Sequence, residues 1–139
     1  MQLIVPMLAY ENGVGAIEWL CRVFGFTEKV RWLDESGRLT HGEITMEDQV
    51  IMLASPTPGY QSPKRLRLEY APAAQWYQVP YIINGVLVYV ADVEHHFKVA
   101  SEGGATILTG LEHGGPGTRY RAEDLEGQRW MFMQRPEEG

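Results

Sequence analysis

The hydrophobic and polar positions of this chain follow the same order twice, about 79 residues apart. In each copy a short apolar strand leads into an amphipathic helix, and the helix ends at a glycine. The first copy has its strand at residues 3–10 and its helix at 14–24. The second has its strand at 85–90, within an apolar segment 81–90, and its helix at 93–102. A unit that is repeated in a short chain predicts a duplicated module whose two halves pack on each other.

Both helices have recognisable signals at their ends. Asn12 and Asp92 stand just before them, and short polar side chains of this kind accept hydrogen bonds from the free N–H groups of a first helical turn. Gly25 follows the first helix and fits the left-handed conformation that ends one. The apolar residues of the first helix recur at helical spacing and predict one buried stripe. That stripe consists of Val14, Ile17, Leu20, Cys21 and Phe24.

The remaining apolar segments predict three strands after each helix. They span residues 28–33, 39–46 and 49–54 in the first half, and 105–109, 119–123 and 129–134 in the second. Residues 55–80 differ, because they contain five prolines and a basic patch at Lys64, Arg65 and Arg67. We therefore expect a linker with at most one helical turn between module one, residues 1–54, and module two, residues 81–135.

Length and composition indicate one domain over residues 1–139. The chain is 45% hydrophobic and 22% charged, which is ordinary for a globular protein with a sizeable core. Its formal net charge of −6 argues against nucleic acid or an anionic membrane surface as a partner, since both attract clustered Lys and Arg. The N-terminus lacks the basic start and apolar core of a signal peptide, and no apolar run reaches the ~20 residues of a membrane span. We expect a cytoplasmic protein.

Three features of the sequence could carry chemistry, but for each of them the surrounding residues favour a structural role. Cys21 is the only cysteine, so no disulfide can form within the chain, and its apolar neighbours predict a buried, unreactive thiol rather than a nucleophile. His95 and His96 are adjacent on the second helix and point about 100° apart, so we expect two surface histidines rather than a metal pair. The glycine-rich loop 112–117 lacks the lysine and spacing of a phosphate-binding loop.

Four segments resemble the vicinal oxygen chelate superfamily, which includes glyoxalase I, bleomycin-resistance proteins and extradiol dioxygenases. YRAEDLEGQRWMFM resembles its closing hairpin, and LAYENGVGAIEWLCRVFGF resembles its opening strand and helix. HGEITMEDQVIML resembles its third and fourth strands, and VLVYVADVEHHFKVASEGGATIL resembles the start of its second module. The resemblance implies an α+β fold in which two βαβββ modules form a curled mixed sheet around a cleft. Fold alone does not give function, because function depends on the residues that form the site.

Metal-dependent members of that superfamily place His, Gln or Glu ligands on four strands that face the cleft. Counted from local landmarks, the corresponding positions are Val5, Met52, a residue within 84–86 that we take as Val86, and Met131. Valine has no donor atom, and the methionine thioether suits Cu(I) rather than a hard divalent metal. A slip of register by one residue would turn other side chains to the cleft, but it yields no clear set of three ligands. We therefore predict neither a metal nor another cofactor.

Two polar side chains of the first half are expected to face the cleft. A tight turn at residues 47–48 pairs Glu43 with Met52 and His41 with Ala54 across the hairpin. Since side chains alternate between the faces of a strand, Glu43 and His41 share the face of Met52. They could serve as an acid–base pair or bind a polar ligand. A solvated position at the rim of the sheet is the alternative.

Methionines are expected to form an apolar wall beside these residues. Met7, Met131 and Met133 point towards the cleft by the same alternation, where methionine adapts to varied ligands. Ordinary core packing is the alternative. Trp130 and Phe132 then face the opposite side, towards the helices.

Arginine and aromatic side chains offer further ligand contacts. Arg121, with Arg119 and Tyr120 on the same strand, could anchor an anionic or aromatic ligand, or could lie in solvent. The linker aromatics that could cap a ligand or cover a dimer interface are Tyr60, Trp76 and Tyr77.

Three functions remain open from the sequence. The first is a metal-free small-molecule-binding protein, a homodimer that holds an aromatic or amphipathic ligand in an apolar cleft. The alternative is a lyase, isomerase or dioxygenase of the same fold, metal-dependent or using Glu43 and His41. The third is a non-catalytic interaction module whose linker aromatics contact a partner. The predicted ligand-binding residues are Met7, His41, Glu43, Met52, Arg121, Met131 and Met133.

Overall fold

The computed structural model describes residues 1–137. The chain divides into two compact units, Met1–Ser62 and Pro63–Gly139, and each contains one four-stranded sheet with a parallel and two antiparallel pairings. The predicted repeat of a strand, a helix and three strands is confirmed. The boundary falls at residue 62 rather than within a free linker, because residues 63–80 belong to the second unit.

The first unit contains β1 Met7–Ala9, α1 Gly13–Phe24, β2 Thr27–Leu33, β3 Leu39–Met46 and β4 Gln49–Ala54. Its strand order is β1-β4-β3-β2, and β1 runs parallel to β4. β1 is shorter than the predicted strand at residues 3–10. Pro6 has no N–H to donate to a sheet, although its carbonyl still accepts a bond of 3.0 Å from the N–H of Met52.

Helix α1 begins and ends where the sequence predicts. The Asn12 side chain accepts a 3.0 Å bond from the N–H of Gly15, and Gly25 ends the helix with φ +82°. The helix packs closely on one face of the sheet, since a Cβ added to Gly42 would stand 2.9 Å from Ile17 Cδ1. The residues buried along α1 are Gly13, Ala16, Ile17, Leu20, Val23 and Phe24, so the predicted Val14 and Cys21 lie only at the edge of the stripe.

The second unit contains α2 Pro63–Glu69, α3 Ala71–Trp76, β5 Val86–Val90, α4 Val93–Gly103, β6 Thr106–Glu112, β7 Arg119–Glu123 and β8 Arg129–Gln134. Its strand order is β5-β8-β7-β6, with β5 parallel to β8. The prediction of at most one helical turn in residues 55–80 is wrong, because two short helices form there. Pro63 and Pro72 both fall in a first helical turn, where the missing N–H of proline would be unpaired in any case.

Helix α4 covers one face of the second sheet. Asp92 caps it by accepting a 3.1 Å bond from the N–H of His95. The His96 ring lies 4.2 Å from the Phe132 ring, and its Nδ1 is 2.6 Å from the buried hydroxyl of Tyr120. Trp130 and Phe132 are buried and face the helix side of the sheet, as predicted. The expected surface position is correct for His95 and wrong for His96, because His96 packs into this aromatic cluster.

Candidate functional site

The face of the first sheet that points away from α1 carries the predicted polar pair. Met7 pairs with Met52, and Met52 pairs with Glu43, so these three side chains form one row on that face. The predicted pairing of Glu43 with Met52 is therefore present. His41 does not pair with Ala54, because the ladder ends one residue earlier and the N–H of Ser55 bonds to the carbonyl of Leu39 at 2.9 Å.

His41 and Glu43 nevertheless contact each other directly. His41 Nε2 lies 2.7 Å from Glu43 Oε2, and the two side chains are 27% and 17% exposed. The Trp32 ring lies 5.0 Å from the imidazole, and Lys29 Nζ lies 3.9 Å from Glu43 Oε1. A half-buried imidazole held by a carboxylate can accept or donate a proton, so acid–base chemistry is sterically possible on this face.

Strand register shows which side chains lie beside the positions predicted to correspond to metal ligands. Beside Met52 the structure places Met7, while Val5 lies before the first strand. Beside Met131 it places Leu87, because Val86 pairs with Trp130 on the helix side of the sheet. The third predicted position, taken as Val86 within residues 84–86, therefore remains a prediction, with Leu87 as the side chain paired with Met131.

These side chains do not fit a divalent metal. Two methionines in one sheet and a leucine and a methionine in the other provide none of the oxygen or nitrogen donors that such a metal needs. Within residues 1–137, no three His, Cys, Asp or Glu side chains are grouped closely enough to hold an ion.

The face of the second sheet that points away from α4 carries the other predicted ligand residues. Met131 pairs with Leu87 on one side and with Arg121 on the other. Met133 lies in the next row on the same face, but it is only 5% exposed. The glycine-rich loop covers it, since a Cβ on Gly117 would stand 3.6 Å from its Cγ. Met131 and Arg121 therefore remain accessible, whereas Met133 packs beneath the loop.

A cavity of about 100 Å³ opens beside Met131 and Arg121, and we call it the second-unit cavity. Its lining is mainly apolar. One part of the lining comes from strands of the sheet, and the other comes from the segment that follows α3. The apolar residues that contribute to it include Tyr81, Ile82, Leu87, Leu108, Trp130 and Met131. Met7, His41, Glu43 and Met52 belong to the first unit and have no part in it.

The wall of this cavity is held by Arg129, which sequence reasoning missed. The side chain is 3% exposed, and it donates to the carbonyls of Tyr77 at 2.7 Å, Tyr81 at 2.8 Å and Val79. Its Nε also donates to Glu123 Oε2 at 3.0 Å. Residues 77–81 are therefore fastened to β8 through their backbone.

Glu123 joins this arginine to a second one. Arg67 of α2 donates two bonds to its carboxylate, at 2.8 and 3.0 Å. Both guanidinium groups also lie close to the Tyr77 ring, with the Arg67 Cζ 4.8 Å and the Arg129 Cζ 4.9 Å from its centre. We call Arg67, Glu123 and Arg129 the ion cluster. Glu123 and Arg129 are opposite each other in the β7–β8 ladder, so strand pairing was the sequence signal that could have identified them.

Arg121 lies at the edge of the second-unit cavity, where its guanidinium contacts Glu112 and Tyr81. Its Nη1 donates to Glu112 Oε1 at 2.5 Å, and its guanidinium lies 5.7 Å from the centre of the Tyr81 ring. Its Nε is buried and has no hydrogen-bond partner among the described residues. Hydrogen bonding from Thr109, followed by the charges of Arg121 and Arg119, lowers the pKa of Glu112, so the carboxylate that faces Arg121 stays ionised at neutral pH.

The chain matches the model of one protein family and is similar to several solved structures. The sequence profile described as Glyoxalase/Bleomycin resistance protein/Dioxygenase superfamily matches residues 7–132. TioX from Micromonospora sp. ML1 is a similar solved structure, with 26% identity, a TM-score of 0.69 and coverage of 99% of both chains.

Two further structures share the fold at lower identity. The antibiotic binding protein TnmS3 from Streptomyces sp. CB03234 has 13% identity and a TM-score of 0.67, with 98% of this chain and 97% of that chain covered. A glyoxalase I mutant from Zea mays has 10% identity and a TM-score of 0.71, with 98% of this chain and 45% of that chain covered. No curated protein sequence matches the chain. Within residues 1–137, the helices are too short or too polar to cross a membrane.

Proposed function

Since this chain belongs to the glyoxalase/bleomycin resistance protein/dioxygenase superfamily, we propose that it is a metal-free protein that binds a small aromatic or amphipathic molecule. The observation that carries the proposal is the second-unit cavity, an apolar recess beside Met131 and Arg121. Concave apolar sites with a few polar groups are the usual binding sites for small molecules. The antibiotic binding protein TnmS3 has a similar fold, and this supports the same kind of function here.

The side chains at and beside the positions predicted to correspond to metal ligands support the metal-free part of the proposal. Met7, Met52, Leu87 and Met131 offer apolar contact instead of ionic ligands. Binding requires affinity alone, so no catalytic group is needed for this function.

The size of the cavity indicates how a ligand would lie. A volume of about 100 Å³ is well below the roughly 300–1,000 Å³ of pockets that enclose a drug-sized molecule. The cavity therefore takes only one part of such a ligand. Leu87 and Tyr89, which are 46% and 47% exposed on the same sheet face, offer apolar area to the remainder.

Filling the cavity is expected to weaken binding. Gly85 lines it, and a Cβ there meets only ordinary contacts at 3.6 Å or more, so Gly85→Leu adds volume with little strain. We expect the Kd for the amphipathic dye 1-anilinonaphthalene-8-sulfonate to rise about tenfold, equivalent to 1.4 kcal/mol. Isothermal titration calorimetry measures this change.

The matched control is Gly110→Leu. Gly110 lies in β6 of the same unit, and a Cβ there has no atom within 4 Å, so the dye should bind as it does to the native protein. Equal affinity in Gly85→Leu and Gly110→Leu would show that the dye binds elsewhere. A near-stoichiometric metal in protein purified without chelator would contradict the metal-free proposal.

The alternative function is an enzyme of the same superfamily, a lyase, isomerase or dioxygenase that uses Glu43 and His41. The 2.7 Å contact between them on an open sheet face favours it. In that case Glu43→Gln removes the charge that orients the imidazole and lowers turnover about 10²–10⁴-fold. The assay follows the isomerisation of the hemithioacetal of methylglyoxal and glutathione.

Glu28→Gln is the control for this alternative. Glu28 lies on the neighbouring strand and pairs with Arg31, so its loss should leave turnover unchanged. Absence of turnover in the native protein would leave the binding function as the sole proposal.

We retain the homodimer and the cytoplasmic location as predictions. The homodimer has some physical support in the first unit, where exposed apolar side chains precede and begin the edge strand β1. They are Met1, Leu3, Ile4 and Met7, each at least 78% exposed. A second copy of the chain that covered them would remove this apolar surface from water.

A further inference from the structure

We propose that Arg129 is a positioning residue for ligand binding, because it holds residues 79–84 so that the side chains of Tyr81 and Ile82 contact the ligand. We call residues 79–84 the wall segment. Tyr81 and Ile82 both line the second-unit cavity. This inference rests on the proposed binding function, and it identifies how the site is formed before a ligand arrives.

The first step is that the wall segment has no regular structure of its own. It lies between α3 and β5, and within residues 1–137 no backbone–backbone hydrogen bond reaches it. Its side chains are poorly buried, since Tyr81 and Ile82 are both exposed. Neither a strand ladder nor a packed core therefore fixes the course of this backbone.

The second step is that two neighbouring side chains hold the wall segment in place. Arg129 donates to the carbonyl of Tyr81 at 2.8 Å and to the carbonyl of Val79, and Gln128 donates to the carbonyl of Asn84. In the part of the chain that the structure describes, no other hydrogen bond reaches the segment. The position of the cavity wall therefore depends on the beginning of β8.

The third step is that Arg129 is itself fixed. Its side chain is almost fully buried, and its Nε donates to Glu123 Oε2 at 3.0 Å. Because the donors of a guanidinium group form a rigid planar fork, an arginine held at Nε also has a set direction for its two Nη groups. Those groups donate to the carbonyls of Tyr77, Val79 and Tyr81. The sheet thus determines where the wall lies.

A wall of this kind favours binding. Its backbone is held while the side chains of Tyr81 and Ile82 remain accessible at the cavity. A segment that is already in place loses little conformational freedom when a ligand binds, and this raises affinity. If the segment were released, only the molecules that have it in place could bind, and the apparent Kd would rise as their fraction fell.

The first variant is Arg129→Lys. Lysine keeps the positive charge beside Glu123 but has one nitrogen in place of three, so it cannot hold the same set of carbonyls. We expect the Kd for 1-anilinonaphthalene-8-sulfonate to rise about tenfold or more, as it would if the wall segment were in place in about one molecule in ten. Isothermal titration calorimetry measures the change.

The matched control is Arg67→Lys. Arg67 contacts the same carboxylate of Glu123 and the same Tyr77 ring. Its described hydrogen bonds go to Glu123 and not to the wall segment, so the Kd should stay the same. An equal rise in both lysine variants would show that the ion cluster acts through general stability, and would overturn the inference.

Backbone dynamics give a readout that general stability does not change. We expect the NMR order parameters of the non-proline amides in the wall segment to fall from about 0.85 to below about 0.6 in Arg129→Lys. Those of Arg67→Lys should remain at the native values. Saturating dye should raise the order parameters of Arg129→Lys again, because binding and positioning are linked. Unchanged order parameters in Arg129→Lys would contradict the positioning role.

A second pair of variants does not depend on the folding of Arg129→Lys. Ile82→Ser removes an exposed side chain that lines the cavity, and we expect the Kd for the dye to rise about fivefold through the lost apolar contact. Val79→Ser is its control. Val79 is also an exposed β-branched residue of the wall segment, but it does not line the cavity, so the Kd should not change.

The outcomes separate this inference from the proposed function. Weaker binding in Arg129→Lys and Ile82→Ser, with native affinity in Arg67→Lys and Val79→Ser, supports the inference. If Gly85→Leu weakens dye binding but Arg129→Lys and Ile82→Ser do not, the inference is overturned and the binding function stands. If Gly85→Leu leaves the affinity unchanged, the dye binds elsewhere, and the proposed function and the inference are overturned together.

Discussion

Replacing Glu123 by glutamine is expected to destabilise the second unit by about 3 kcal/mol, since removing one partner of a buried ion pair leaves charge uncompensated. The Glu123 side chain is 5% exposed and contacts Arg67 and Arg129 at 2.8 and 3.0 Å. The neutral amide would leave two guanidinium groups beside Tyr77 without the carboxylate that both of them contact. Native-state amide hydrogen exchange of β7 and β8 measures the loss.

Glu112→Gln is the control for this prediction. Glu112 also faces two arginines, but its side chain is 39% exposed, and solvent-exposed ion pairs contribute little to stability. The non-proline amides of residues 79–82 should also exchange faster in Glu123→Gln, because Arg129 then loses one of the groups that orient it. Equal losses in both variants would show that burial of the ion cluster does not decide its contribution.

Truncating Phe132 to alanine is expected to cost about 3–5 kcal/mol, the usual range for a buried phenylalanine. Phe132 is fully buried, and its ring contacts those of His96, Tyr120 and Trp130 at centroid distances of 4.2, 5.3 and 6.1 Å. The cavity left behind would remove the ring contact through which α4 packs on the sheet at this point. Urea denaturation of both proteins measures the change.

Phe132→Leu tests whether the lost volume is the cause. Leucine keeps most of the apolar contact, and swaps of similar volume usually cost less than about 1.5 kcal/mol. If leucine destabilised the protein as much as alanine, the stacked rings rather than the filled volume would account for the effect.

The two long helices could be predicted because local chemistry fixes their ends. Asn12 and Asp92 satisfy the first N–H groups within three residues of themselves, and Gly25 reverses the chain with a positive φ. These effects need no distant contact. The hairpin of β3 and β4 was predictable for a related reason, because its tight turn sets the register that places Glu43 beside Met52.

Features that depend on contacts between residues far apart in the chain could not be predicted from the sequence. Residues 63–80 appeared to be a linker because their prolines interrupt any apolar period, yet Arg129 binds the carbonyl of Tyr77 from 52 residues away. The sequence also could not show that Leu87 rather than Val86 lies beside Met131, and the reason is different. A strand that is one residue out of register presents the opposite face, and only the observed pairing of β5 with β8 fixes that register.

The way in which Arg129 fastens the cavity wall bears on how this protein can evolve. It holds the carbonyls of Tyr77, Val79 and Tyr81, and every residue type has a carbonyl. Side chains at positions 79, 81 and 82 can therefore change without removing the bonds that fix the wall. A lineage built on this framework can acquire new ligand preferences by substitutions in that short segment, while selection for folding acts on the arginine and its glutamate.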